Sequence, residues 1–228
     1  KKAYRSVAIN PKDYCLTGLQ FHFDGDKHAT QMFDVRLPFG SSKGPMIFHR
    51  LSQAVKRMMH RRGYQNLVVY LDDFLCVESS YERCCEAQHT LISLLRKLGF
   101  LISWSKVVGP SHRVEFLGVI IDTTSCTVSL SRDKLFKLQG KLQCFQAKKR
   151  ATKRQLQSLA GSLNWACQAI RGGRFFLRRI LDSIHKLKSA SHKYKLSEEF
   201  HKDLKWWLRF LHSFNGTVYY RDVRKVVG

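Results

Sequence analysis

Two adjacent carboxylates, Asp72 and Asp73, stand between the apolar runs Leu67-Val68-Val69-Tyr70-Leu71 and Phe74-Leu75-Cys76-Val77. This run–turn–run pattern predicts a β-hairpin with the acids at its apex, in the middle of a sheet. Neighbouring like charges beside apolar sequence repel and resist desolvation. Asp is also a common turn residue, so the pair alone fits an ordinary surface turn. Such a turn is rarely bracketed by two runs of this kind. A divalent cation would offset the repulsion. Mg²⁺ suits such oxygen ligands, taking one or two carboxylates and completing its shell with substrate phosphates.

The charge balance points the same way. Forty Lys and Arg stand against 17 acids among 228 residues, a formal charge of +23. Self-repulsion of this size is explained by a polyanionic partner, and nucleic acid is the first candidate. The excess is uneven. Residues 1–122 hold 17 basic and 11 acidic side chains, and residues 123–228 hold 23 and 6. The second half reads as a basic clamp. No apolar run approaches the roughly 18 residues of a membrane span. The seven Cys show no CxxC spacing, so reduced thiols and an intracellular setting are expected, cytoplasm and nucleus being left open. Cys84, Cys85 and His89 lack a second ligand pair, which disfavours zinc.

The first half predicts hairpin, helix, hairpin, helix, then strands. Leu16–Phe23 and Thr30–Leu37 flank the turn Asp24-Gly25-Asp26. A helix starts near Pro45, carries Phe48, Leu51, Val55 and Met59 at helical spacing, and stops at Gly63. Ser79 and Glu82 fit a capping box for the next helix, which ends at Gly99. Val114–Ile121 and Cys126–Leu130 read as strands. Two helices crossing one sheet imply an α+β, ferredoxin-like βαββαβ layer. The second half is mainly helical. Leu135, Leu138, Leu142 and Phe145 make one stripe; Thr152 and Gln155 form a capping box; Gly172-Gly173 breaks the chain; the last helix starts at Ser197.

Two further features carry chemistry. Leu37-Pro38-Phe39-Gly40, then Gly44-Pro45, form a Pro/Gly loop entering a helix, where backbone N–H groups can approach a phosphate. Lys106 follows Leu98-Gly99-Phe100, and a lysine beside a phosphate site can neutralise charge or donate a proton.

Taken in order, these segments resemble reverse transcriptases. Tyr70-Leu71-Asp72-Asp73 resembles the YxDD motif, and Ala3-Tyr4-Arg5-Ser6-Val7 the tail of the first catalytic motif. Leu37–Phe48 is similar to the LPxG substrate loop, and Leu98–Lys106 to the motif with the proton-donating lysine. Phe116-Leu117-Gly118 is similar to the primer-grip hairpin, and Thr152–Ile170 to the thumb segment. Arg5, Phe39-Gly40 and the Gly161–Cys167 run look most like DIRS-type retrotransposons.

The resemblance implies a polymerase palm over residues 1–122, a basic helical thumb or connection over 123–228, and largely absent fingers. Asp72 and Asp73 would hold two Mg²⁺, with Mn²⁺ the alternative ion, and Lys106 would protonate pyrophosphate. Tyr4 would gate the sugar, with Phe39, Gly40, Pro45 and Tyr70 completing the nucleotide site. Many relatives carry Gln where Phe39 stands, so its contact would be stacking. Phe116, Leu117 and Gly118 would grip the primer, and Lys153, Arg154, Arg171, Arg174 and Arg178 would grip the backbone of an RNA or DNA template–primer. The dNTP is the other partner, and no membrane is expected.

The first motif of the family begins with an Asp two positions before the residue matching Lys1. The sequence is therefore expected to be a piece of a longer polyprotein, inactive alone, with a ribonuclease H domain following Val226-Val227-Gly228. A non-catalytic nucleic-acid-binding remnant of a decayed element is the alternative. A structural assembly role would leave Asp72-Asp73 without a reason.

Overall fold

The computed structural model describes residues 4–216 and the backbone of 218–219. Ala3 of the first motif and the terminal Val226-Val227-Gly228 lie outside the described residues. The chain divides into two compact units, Lys1–Ser111 and His112–Gly228.

In the first unit, β1 (Gly18–Phe21) and β2 (Thr30–Phe33) form an antiparallel hairpin after a 3₁₀ turn at Pro11–Thr17. Helix α1 (Gly44–Arg61) buries Phe48, Ser52, Val55 and Met59, a stripe at helical spacing interrupted by one serine. The helix ends at Gly63, whose φ of +90° suits a residue without Cβ. Strands β3 (Leu67–Tyr70) and β4 (Asp73–Cys76) pair antiparallel, with Tyr70 opposite Asp73. Leu67 and Val69 point inward and pack with Val55, Met59, Leu91 and Leu94. Leu91 and Leu94 come from α2 (Tyr81–Lys97).

Two expectations are corrected. The N-cap of α2 is Ser80, whose Oγ accepts the Arg83 N–H at 3.2 Å, so the Ser79/Glu82 capping box is one residue out of frame. The described strands also do not join into one βαββαβ sheet: β1–β2 and β3–β4 are separate two-stranded ribbons. The backbone of Val7–Ile9 is engaged elsewhere. The Ile9 N–H donates to the Val35 carbonyl, the Leu37 N–H donates to the Val7 carbonyl, and Ala8 bridges Arg36. Among the described residues, β3 pairs with β4 alone.

In the second unit, β5 (Arg113–Phe116), β6 (Val119–Asp122) and β7 (Thr127–Leu130) form an antiparallel meander, joined beyond β7 by β10 (Val218–Tyr219). The predicted strand Val114–Ile121 is thus two strands folded at Leu117-Gly118. Helices α3 (Arg132–Gln146), α4 (Lys153–Ala166), α5 (Arg178–His185) and α6 (Glu198–Phe210) enclose the larger core. Leu142, Leu156, Leu159, Leu163, Phe200, Leu204 and Trp207 are all fully buried in it. The Thr152/Gln155 capping box of α4 is present in both directions. A short ribbon, β8 (Arg150–Thr152) with β9 (Lys193–Lys195), precedes α4 and α6.

Candidate active site

The tip between β3 and β4 carries the acids. Asp72 and Asp73 are both exposed, and Leu71 before them adopts φ +51°. A left-handed leucine is strained and needs an external hold. Ser52 supplies one: its buried Oγ lies 2.6 Å from the Leu71 carbonyl and 3.2 Å from that of Phe48. Partial desolvation, and then the Asp72 charge, push the Asp73 carboxyl above the usual aspartate range; the Lys106 ammonium pulls it back. Lys106, exposed at the end of the 3₁₀ turn Trp104–Lys106, is near enough for its charge to act on Asp73.

Helix α1 ties this tip to a second group. Phe48, one turn before Ser52, places its ring 5.3 Å from that of Tyr4, which meets Phe39 edge-on at 5.4 Å. Gly44, at the start of the helix, lies against Tyr4, where a Cβ would make an ordinary 3.6 Å contact with the phenol ring. Phe39 is two-thirds exposed, Gly40 has φ +92°, and Pro45 lies in the first turn of α1. Tyr70 is exposed on β3. The expected nucleotide residues Tyr4, Phe39, Gly40 and Pro45 therefore cluster at the N-terminus of α1. Of the expected catalytic residues, Asp72 and Asp73 stand at the hairpin tip, and Lys106 reaches Asp73 through its charge. Ser52, which joins the two, was not foreseen. Its signal was a polar residue inside the apolar stripe of α1.

Fit to a divalent cation is partial. Two crowded carboxylates, one already resisting ionisation, are what such an ion relieves. Among the described residues no group of three His, Cys, Asp or Glu side chains is placed to hold a metal.

The second unit holds the other expected residues. Leu117 (φ +51°) and Gly118 (φ +83°) form the β5–β6 turn, beside half-buried Phe116. A Cβ on Gly118 would lie 3.0 Å from the Trp165 ring, so the turn seats directly on α4. An open groove of about 720 Å³ runs between α3 and α4. Lys134 and Lys137 line one side; Ser158, Gly161 and Trp165 line the other. The Lys134 ammonium sits 5.7 Å from the Trp165 ring centre. Lys141 bridges the floor, donating to the Ser158 carbonyl (2.7 Å), Ser158 Oγ (2.9 Å) and Ser162 Oγ (2.7 Å), and desolvation lowers its pKa. The five expected backbone-gripping residues are mixed. Arg154, Arg171 and Arg174 are exposed. Arg178 is exposed but pairs with Asp182 at 3.2 Å. The Lys153 ammonium is turned inward, donating to the Leu187 carbonyl at 2.5 Å.

Comparison with known proteins converges. A Gag-Pol polyprotein of avian reticuloendotheliosis virus is 25% identical over 166 residues, 72% of this chain and 14% of that protein. The foamy viral protease–reverse transcriptase solved with double-stranded DNA superposes with a TM-score of 0.74 over 97% of this chain and 35% of the other, at 19% identity. The same viral enzyme solved with an RNA/DNA hybrid gives 0.71 over 95% and 27%, at 18% identity. The chain thus spans a minor part of each relative. Residues 1–121 match the family described as reverse transcriptase (RNA-dependent DNA polymerase). With more than half its length inside that match, the chain belongs to the reverse transcriptase family.

Proposed function

We propose that the chain is the palm and thumb of a retroelement RNA-directed DNA polymerase, most similar to the DIRS type, that extends a primer 3′-hydroxyl with dNTPs. The observation that carries this reading is the Asp72-Asp73 tip, pinned to α1 by Ser52, one turn after Phe48, which packs on the Tyr4 of the Tyr4–Phe39 pair. Asp72 and Asp73 would hold Mg²⁺. When bound, the metal supplies activation of the 3′-hydroxyl and charge neutralisation at the departing pyrophosphate. Lys106, whose charge acts on Asp73, would pass a proton to the leaving group. Tyr4 and exposed Phe39 present aromatic faces to a sugar and a nascent base pair. The Leu117-Gly118 turn and the Lys134–Trp165 groove would hold the primer strand and the template–primer backbone.

The test is primer extension on an RNA template with Mg²⁺, using a form extended upstream of Lys1 to include the first-motif Asp. Asp72→Asn and Asp73→Asn should each lower the rate by about three orders of magnitude, since each removes several kcal/mol of charge stabilisation. A loss within about tenfold overturns the metal role. The 228-residue chain alone should bind template–primer without extending it. The absence of a three-donor group among the described residues favours one alternative, a non-catalytic nucleic-acid-binding remnant. In that case the extended form binds duplex but incorporates nothing.

A further inference from the structure

The β8–β9 ribbon is built against its own electrostatics. Arg150 stands directly opposite Lys195 and Thr152 opposite Lys193. The pairing continues at both ends: the Leu196 N–H donates to the Lys149 carbonyl, and the Lys153 N–H to that of His192. Arg150, Lys193 and Lys195 are all exposed, while Ala151 is buried and Tyr194 packs against the core. Like charges directly opposite on one face of a ribbon destabilise it. Segments 148–154 and 186–195 together hold nine Lys and Arg and no Asp or Glu. None of Arg150, Lys193 and Lys195 has an ion pair among the described residues. The ribbon then runs into α4, whose first two residues are Lys153 and Arg154, with no acid in the first turn. That is the end of a helix where cations are disfavoured.

Three features thus raise positive potential where the fold gains nothing from it. We infer that the exposed face of the β8–β9 ribbon, with Arg150, Lys193 and Lys195 as its contacts, is a second nucleic-acid contact that takes the phosphate backbone of a duplex. A phosphate between Arg150 and Lys195 turns the cross-strand repulsion into two charge-assisted hydrogen bonds. Single strands are held largely by base stacking, and the ribbon's one aromatic side chain, Tyr194, packs against the core. The contact therefore reads backbone, not sequence. It is separate from the Lys134–Trp165 groove, which is formed by α3 and by later turns of α4.

The inference deepens the template–primer reading, but it is tested by binding rather than synthesis. The 228-residue chain is titrated into a fluorescent blunt DNA duplex over a series of KCl concentrations. The comparison is between the parent, the triple variant R150Q/K193Q/K195Q, and a charge-matched control at exposed lysines of the first unit, K12Q/K27Q/K97Q. The ribbon triple should flatten the slope of log affinity against log salt by about 2 to 3, one unit per lost phosphate contact, and weaken binding at least tenfold near physiological salt. The control should leave the slope unchanged. The ribbon triple should also unfold no earlier than the parent, because it removes repulsion, so lost binding cannot be lost folding. An unchanged slope in the ribbon triple, or equal flattening in the control, overturns the inference. So does loss of binding to phosphatidylserine vesicles with duplex binding intact, which would make the ribbon a membrane contact. Polymerase inactivity of the extended form, with the flattened slope retained, overturns the catalytic reading and leaves this one standing.

Discussion

The Ser52 hydroxyl lies 2.6 Å from the Leu71 carbonyl, joining the buried face of α1 to the residue before the paired acids. The bond does two things at once. It satisfies a polar group inside the apolar stripe of α1, and it holds Leu71 at φ +51° so that Asp72 and Asp73 project from the tip.

Ser52→Ala should therefore cost about 1–2 kcal/mol, the usual effect of leaving a partly buried carbonyl without its donor. Urea denaturation would measure the loss. Amide exchange at Leu71, Asp72 and Asp73 should quicken more than exchange at Val55 or Met59. Equal quickening throughout α1 would show that the serine only packs the helix.

Gly118→Ala tests the β5–β6 turn. The new methyl would lie 3.0 Å from the Trp165 ring and 3.5 Å from Lys134 Cε, on a backbone with φ +83°. Strain and crowding together should cost about 2 kcal/mol. Trp165 fluorescence should change with the displacement, and unfolding should move to lower urea.

Gly173→Ala should be worse. Its methyl would fall 2.4 and 2.8 Å from ring atoms of Trp207 and 3.2 Å from Cys167 Sγ. Trp207 is completely buried in the larger core and has no free space to yield. A loss of about 3 kcal/mol or more is expected from thermal unfolding. Gly140→Ala, with nothing within 4 Å of its methyl and a helical position, should be neutral or stabilising in the same measurement.

Cys76, at the end of β4, has its thiol pushed up to about 11, first by burial and then by Cys84 and Glu78. The folded protein thus keeps this proton between about 9.0 and about 11, where the unfolded chain gives it up. Its contribution to stability is present below that window and is lost as pH rises through it. At pH 8 about one thiol in a thousand is ionised, so alkylation of Cys76 should lag far behind that of exposed Cys15. Peptide mapping after iodoacetamide treatment should show its rate rising about tenfold per pH unit.

The hairpin bearing the acids was legible because its apolar runs are short, dense and cut by one polar pair. The stripes of α1, α3 and α4 were legible from periodicity, and the α4 cap from Thr152 and Gln155. What escaped has physical reasons. Ser79 and Ser80 can each cap the helix; Glu82 at the N3 place favours the first frame in the sequence, while the backbone geometry selects the second, with Arg83 at that place. β8 and β9 alternate, but at three residues each they are too short for the alternation to stand out. The single-sheet expectation rested on element order. Val7–Ile9 bonds to Val35–Leu37, a long-range pairing that periodicity does not encode. Among the candidate residues, spacing could place Lys153 on the first turn of α4 but could not reveal that its ammonium turns in to the Leu187 carbonyl.

The two units differ greatly in how much greasy material they enclose. Among the described residues the second knits 22 buried side chains into one cluster, while the first knits six around β3 and leaves Phe21, Phe23 and Phe33 in water. On warming, the lighter half should melt first, and hydrogen exchange should find its protection gone while α4 and α6 still resist. A partly heated sample would then keep the Lys134–Trp165 groove intact after the Asp72-Asp73 tip has come apart.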